Sequence, residues 1–369
     1  MNNRLGRREF LYSVAGAGLI SLSGCTQLGG GGGDQIPTPE AQEGATGVSI
    51  DDLPDLSGEL TVYLGRGEGG LYTDIVDYLQ NERYPDLRLD VRRDSSSSLA
   101  NTIIEEAEAD ETPADVFWSI DAGALGAVAD AGLTSPLPDE VLDNVNSAFK
   151  DSEGRWVGIS GRARTIPFNT DTFERSEIPD DILAFPDDER FEDAMTWAPS
   201  YGAFQSFVTA MRIIHGEDET RDWLQGMLDA GVTEQKGEFL VTNAVANGEA
   251  KAGFANHYYA QRLKEAKPDA PLGTAFTRGD AGALINCSGA SVIETSDSKD
   301  LAANFIRHFL SVELQSFLAE RGYEYPLVPG VDPAQGLPTI DELDPPEFDL
   351  TRLSEVQPTL ELMRDVGVL

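Results

Sequence analysis

The sequence is short of cysteine, histidine and positive charge, and each shortage closes off a class of function. Cys25 and Cys287 are its two cysteines. If Cys25 is taken by an N-terminal modification, Cys287 has no partner and no disulfide framework can hold the fold. Cys287 then reads as a buried structural thiol. The three histidines, His215, His257 and His308, stand far apart, which argues against a histidine-rich zinc site. Basic residues number 27 against 64 acidic ones, for a net charge of −37. Such a chain repels nucleic acid and anionic lipid surfaces. Its acids are scattered and not grouped at ligand spacing, so they read as a surface suited to high salt, where screening removes self-repulsion. A halophilic source is the expectation. No glycine pattern makes a phosphate loop or a dinucleotide fingerprint. No serine sits in a nucleophile elbow and no Cys-His pairing is indicated, so an enzyme has no motif to rest on.

What is present starts with an address. Arg7 and Arg8 precede an apolar stretch from Leu11 to Leu22, the order of a twin-arginine export signal. Ser13, Gly16, Gly18 and Ser21 interrupt the stretch, and it is too short to span a bilayer comfortably. It ends in Leu22-Ser23-Gly24-Cys25, which resembles a lipoprotein processing box and makes Cys25 the predicted lipid attachment. The outer face of the cytoplasmic membrane is the predicted location. One acyl chain holds weakly, so a second chain or a partner in the membrane is required. Residues 26–56 follow, with Gly29 to Gly33 and then a Pro, Gln and Glu mixture. That composition predicts a flexible tether, with the folded part starting near Leu56.

From Glu59 on, strand and helix patterns alternate. Leu60 to Leu64, Leu87 to Val91 and Ala114 to Trp118 read as strands. Helical spacing occupies the intervals at Leu71-Ile75-Leu79, after a serine cap at Ser95 to Ser98, and from Ala122 to Leu133. This order predicts a largely parallel sheet covered on both faces. Trp156 to Ser160 and Arg164 to Phe168 read as extended, Ala203 to His215 and Glu219 to Met227 as helices. Lys251 to Asn256 is a short strand running into a helix from His257 to about Ala266. Ala283 to Glu294 is strand-rich, and helices return over Lys299 to Leu318. The sum is α/β in two lobes, a fold class whose ligands bind beyond strand carboxyl ends and between lobes.

The unusual segment is Phe254-Ala255-Asn256-His257-Tyr258-Tyr259. Adjacent helical residues project about 100° apart, so an arbitrary Tyr-Tyr pair puts one ring in the core and one on the surface. At a strand-to-helix turn facing a cleft, both phenols converge on one ion instead.

Several segments, taken in order, bear on the choice. They are Leu60-Thr61-Val62-Tyr63, Thr112 to Phe117, Ser160-Gly161-Arg162-Ala163-Arg164 and Tyr201-Gly202-Ala203-Phe204. Ala244-Val245 with Asn247-Gly248-Glu249 follows, then Asn256 to Tyr259, Gly282-Ala283-Leu284 with Ser288-Gly289-Ala290, and Glu324-Tyr325-Pro326. Over the stretch from Ser57 to the C-terminus this series resembles bacterial ferric-ion-binding proteins, the soluble receptors of iron-importing ABC transporters. The resemblance implies a two-lobed periplasmic-binding-protein fold of type II with a hinge and an interlobe cleft. Residues 57–161 with 289–338 would form the N-terminal lobe, and 162–288 with 339–369 the other. It implies Fe(3+) as cargo, an ABC permease with its ATPase as partners, and a monomeric receptor.

The same resemblance implies a ligand set. The family's twin tyrosines fall on Tyr258 and Tyr259, and a third tyrosine, found in some members before a Gly-Ala/Ser-Phe turn, falls on Tyr201. Other members carry a histidine in the first loop and an acid after the third strand. Those positions lie near Gly67 and Ile120 here, so that half of the site is missing. Glu68 and Asp121 stand next door as substitutes, with Glu238 as a further carboxylate of open role. The pattern is that of the tyrosine-dominated subgroup, which completes its coordination with a small anion such as carbonate. Arg66, Arg162 and Arg164 are candidates to hold the anion, since a guanidinium donates two parallel hydrogen bonds to an oxyanion. Salt bridging between lobes is an equal alternative for Arg162 and Arg164. The N–H groups of Gly202 and Ala203 at a helix start add to the anion candidates, and Asn256 either bonds the anion or caps its helix. The rival readings are a receptor for an organic ligand, such as a phosphonate or a thiamine-like cation, and an anchored extracellular enzyme.

Overall fold

The computed structural model describes residues 38–67, 70–109 and 112–369. The arginine pair, Cys25, residues 26–37 of the expected tether and Glu68 lie outside these residues. Packed structure begins well before Leu56. Ile50, Leu53 and Leu56 are buried, Thr46 N–H bonds the Gly330 carbonyl at 3.0 Å, and Ser49 Oγ and Ile50 N–H both donate to Glu313. A few apolar anchors in a polar stretch are enough to dock it, which the average composition of the stretch conceals.

The strands β1 (Gly58–Gly65), β2 (Leu87–Asp94) and β3 (Val116–Ser119) form a parallel set with β1 in the middle. They alternate with α1 (Leu71–Asp77, prolonged by a π-helical turn), α2 (Ser96–Glu108) and α3 (Ala122–Asp130). Val62, Leu64, Val116, Phe117 and Trp118 are buried, the near-continuous apolar strand pattern of a sheet covered on both faces. Ser95 caps α2 by accepting from Ser98 N–H, and Asp121 caps α3 by accepting from Ala124 N–H. The short β4 (Thr134–Ser135) and α4 (Asp139–Leu142) lead to β5.

β5 runs unbroken from Val157 to Asn169, where the sequence predicts two separate extended pieces. It carries both parts of the sheet. Along its length come β6 (Met195–Trp197), α5 (Gly202–Ile214), α6 (Glu217–Asp229), β7 (Thr233–Glu234), α7 (Glu238–Ala246) and β8 (Ala252–Gly253). Then follow β9 (Ala255–Asn256), α8 (His257–Ala266), β10 (Leu272–Ala275) and β11 (Ile285–Ile293). On one edge β5 pairs with β10 over 166–169 and with β11 over 157–163. The strand order is β2-β1-β3-β11-β5-β8-β6-β7. β11 is antiparallel to both β3 and β5, so the expected parallel arrangement is confined to β1–β3 and β8-β6-β7.

The chain closes with α9 (Lys299–His308), α10 (Val312–Gly322), β12 (Tyr325–Pro326), α11 (Ile340–Leu343) and α12 (Val356–Val366). A 3-10 turn at Leu350–Ser354 lies on α3 so closely that a Cβ on Gly126 would sit 2.6 Å from the Thr351 carbonyl oxygen. α12, immediately after it, packs on α5 and α6. The last segment therefore packs on α3 and also on α5 and α6.

One core contact has a measurable pH consequence. His308 Nδ1 donates to the Asn304 carbonyl at 2.7 Å, so its Nε2 accepts from the Tyr84 hydroxyl at 2.8 Å. Burial pushes the imidazole down from 6.5 to about 4. Between those values the unfolded chain binds the proton and the native chain does not, so stability falls as pH drops through the window. The loss is about 3 kcal/mol when complete. Urea midpoints at pH 7 and 4.5 check this: His308→Gln should lose about 2–3 kcal/mol less than wild type on acidification.

Candidate functional site

Three helix starts meet at one place. Tyr201 is the N-cap of α5, Tyr258 and Tyr259 lie in the first turn of α8, and Glu238 opens α7. Asn256 caps α8 with extended backbone, so β9 turns directly into helix. The Tyr258 and Tyr259 ring centroids are 4.4 Å apart at 47°. Tyr201 Oη lies 2.8 Å from Tyr259 Oη. The adjacent pair therefore converges, and a third phenol joins it from 58 residues away in sequence. Tyr258 and Tyr259 are almost wholly buried and Tyr201 partly so. First-turn N–H groups and the helix dipoles of α5 and α8 favour negative charge here. Gly202, the first residue of α5, faces open space with Ala203 beside it.

Behind the tyrosines lies a buried ion pair. Arg164, on β5, donates through Nη1 to Glu238 Oε1 and, at 3.2 Å, to Asn256 Oδ1. Glu238 Oε2 accepts from Asn256 N–H at 2.8 Å, and Asn256 Nδ2 reaches Tyr258 Oη at 3.4 Å. Arg164 also lies over the Phe207 ring. Its Nη2 is buried with no hydrogen-bond partner among the described residues.

The remaining candidates are spread out. Arg162 donates to the Ile120 carbonyl, to Tyr72 Oη and, at 3.2 Å, to Glu324 Oε1. Glu324 further accepts from Tyr72 Oη at 3.0 Å and from Ser160 Oγ. Burial pushes the Tyr72 phenol up, so it stays a neutral donor. Asp121 spends Oδ1 on the α3 cap and accepts at Oδ2 from Asn286 Nδ2 (2.7 Å) and Ser206 Oγ (3.0 Å). Arg66 is exposed at the end of β1, and Glu68 lies outside the described residues. Cys287 is fully buried and unpaired, with its thiol pushed up to about 12 by burial. Among the described residues no group of three or more His, Cys, Asp or Glu is placed to hold a metal ion.

Sequence reasoning missed three neighbours of the tyrosines. The Arg262 guanidinium lies 4.8 Å from the Tyr258 ring centroid, a cation–π contact one helical turn on. The spacing i, i+4 from Tyr258 was the available signal. Phe239 is 46 % exposed with its ring 6.2 Å from that of Tyr259. An apolar residue just after a buried acid marks a helix start. The third, Tyr323, packs on the same cluster from the end of α10, and nothing in the sequence pattern links it to the pair.

Twelve strands with helices on both sides, one strand shared by two sheet parts and a polar aromatic cluster at converging helix starts define a two-lobed α/β binding fold. The model of the family described as bacterial extracellular solute-binding protein matches residues 111–342, and the chain belongs to that family. The major ferric iron-binding protein of Neisseria meningitidis is 32% identical over 279 residues, covering 73% of this chain and 82% of the relative. Iron uptake protein A2 of Synechocystis is 29% identical over 284 residues, 73% of this chain and 81% of its own length. Among solved structures, iron-bound HitA from Pseudomonas aeruginosa superposes with a TM-score of 0.75 at 29% identity, over 84% of this chain and 99% of that one. Among the described residues no helix is long and apolar enough to cross a membrane.

Proposed function

We propose that this chain is the ferric-iron receptor of an ABC importer, with Tyr258, Tyr259 and Tyr201 binding the metal as phenolates. The observation that carries the reading is the phenol cluster itself: two hydroxyls 2.8 Å apart and a third ring beside them, tilted at 47°, at two helix starts. Ferric iron is a hard cation and phenolate a hard anionic oxygen donor. A free phenol ionises near pH 10, so the metal displaces the protons and binding weakens as pH falls. The names of the relatives and of the iron-bound neighbour support the same cargo.

An oxyanion such as carbonate completes the coordination. Arg164 is the best placed of the arginines to favour it, because its buried Nη2 lacks a partner among the described residues while Arg162 is occupied by Ile120, Tyr72 and Glu324. Gly202 and Ala203 N–H groups supply further donors at the start of α5. The lobes divide where β5 passes from one sheet part to the other, near 161 and 164, and iron selects their closed arrangement. The closed receptor then meets a membrane permease driven by its ATPase. It carries out no catalysis. Tethering through a lipid on Cys25, after twin-arginine export, keeps it at the outer membrane face.

Titration of the metal-free protein with ferric nitrilotriacetate tests this. A visible phenolate-to-iron charge-transfer band should develop at neutral pH, strengthen with added bicarbonate and fade on acidification. A colourless protein at saturating chelate would sink the iron reading. A band indifferent to bicarbonate, citrate and phosphate would remove the anion alone.

A further inference from the structure

The second edge of β5 has a gap. β8 and β9 pair with it at Phe168, Thr165 and Arg164, and β12 pairs with it at Gly161 and Ser160. Between them, Arg162 and Ala163 face no strand on that edge. This is where β5 passes between the two parts of the sheet, and a buried N–H left open there would be costly. The His257 ring fills the gap. Its Nδ1 lies 3.2 Å from Ala163 N, and its Nε2 lies 2.5 Å from the Tyr323 carbonyl oxygen. Nδ1 also lies 3.2 Å from the Ala163 carbonyl oxygen, but the neutral ring has one N–H, and the much closer Tyr323 carbonyl assigns it to Nε2, which leaves Nδ1 to accept from Ala163 N–H. The ring is fully buried and packs on Tyr325, with centroids 4.8 Å apart.

The carbonyl that receives Nε2 is held in an unusual way. Tyr323 ends α10 with φ 59 and ψ 21, left-handed backbone that bulky L side chains rarely adopt. Such a conformation persists only where the surroundings enforce it. Here Gly322 O accepts from Arg262 Nη2 at 3.5 Å, while Glu324, the next residue, is tied to Arg162, Tyr72 and Ser160. The segment Gly322–Tyr325 thus grips α8 with one hand and the crossing strand with the other.

We propose that His257 is the positioning residue of the tyrosine pair: clamped between Ala163 and the Tyr323 carbonyl, it fixes the first turn of α8 so that Tyr258 and Tyr259 point at one ion. The proposal rests on the iron reading for its function, and its geometry stands on the metal-free chain. A side chain next to Tyr258, with hydrogen bonds to β5 and to the turn after α10, adds to the Arg262–Gly322 and Asn256–Arg164 contacts and restrains rotation of the helix start. Residues that orient metal ligands typically contribute about 10–100-fold to affinity.

The test compares full-length His257→Phe, His257→Gln, His257→Asn and Tyr323→Phe with wild type. Ferric loading is followed by competition with citrate and by the charge-transfer band, and amide hydrogen exchange is measured without metal. His257→Phe keeps the ring but not its hydrogen bonds. It should load about tenfold or more weakly, with a shifted band, and exchange faster in the first turn of α8. His257→Gln, whose amide reaches the Tyr323 carbonyl, should recover part of both, and the shorter His257→Asn less. Tyr323→Phe keeps the carbonyl and the ring and loses the hydroxyl's hydrogen bond to Glu265 near the end of α8, so it should retain the band and the slow exchange of the first turn. A folded His257→Phe indistinguishable from wild type in band and exchange would overturn the proposal, as would loss of the band in Tyr323→Phe. If His257→Phe does not fold, equal behaviour of the Gln and Asn variants overturns it. A wild type without colour whose variants still loosen α8 would reject the iron reading and retain the strut.

Discussion

Changing Tyr258 and Tyr259 together to Phe is expected to abolish the charge-transfer band and to weaken ferric loading by more than about 10³-fold, some 4 kcal/mol of binding free energy. The expectation follows from the donor set. Among the described residues no group of three or more His, Cys, Asp or Glu could hold a metal ion, so in the proposed site the loss of two phenolate oxygens leaves one phenol, Tyr201. Folding should survive, because Phe keeps both rings and the packing of Tyr258, Tyr259, Ala198, Val241 and Ala255. The loss of the Tyr201–Tyr259 hydroxyl contact costs about 1 kcal/mol of stability. Binding and stability therefore separate, and a thermal melt beside the chelate titration reads both. A double variant that still colours would mean that iron sits elsewhere. Tyr201→Phe alone should keep a weaker, shifted band, since it removes one oxygen and leaves the α8 pair.

The sequence carried those features that depend on neighbours in the chain. Alternation at Leu60 to Leu64 and Leu87 to Val91 places β1 and β2, and the serine run places the cap of α2 at Ser95. Tyr258 and Tyr259 stand out as a pair. What it did not carry depends on distant partners. Trp156 to Ser160 and Arg164 to Phe168 read as two strands because Gly161 and Arg162 break the apolar pattern. In the fold those residues stay in strand because Cys287 and Asn286 pair with them across β11. α7 escaped notice because Glu238 is a charge that ordinarily marks an exposed face, and here it is fully buried against Arg164. Arg162 looked like a ligand-site arginine, but Tyr72 and Glu324, from opposite ends of the chain, enclose it. The Leu350–Ser354 turn on α3 was hidden for the same reason: only the fold brings Thr351 to Gly126.

Glu238→Ala is expected to cost about 3–5 kcal/mol of stability, the largest single-residue loss among these tests, because it strands a buried guanidinium. The side chains of Arg164 and Glu238 are 6% and 0% exposed, so water cannot replace the lost partner. Asn256 N–H also loses its acceptor at the cap of α8. Glu238→Gln should cost less, about 1–2 kcal/mol, since its amide oxygen still accepts from Arg164 and Asn256 while the charge pairing is gone. Removing both charges, as in Arg164→Met with Glu238→Leu, should recover most of the loss, because the desolvation penalty disappears with the ions. Urea denaturation of wild type and these three variants measures the series, and a Glu238→Ala cost under about 1 kcal/mol would contradict it. The same set decides a question about the site. If Glu238 only supports Arg164 and Asn256, iron-loaded Glu238→Gln keeps the wild-type band position. If its carboxylate enters the coordination, the band moves when that oxygen loses its charge. If Arg164 holds the anion as proposed, the double variant should keep a phenolate band but lose its response to bicarbonate, because it removes a buried guanidinium nitrogen that has no partner among the described residues.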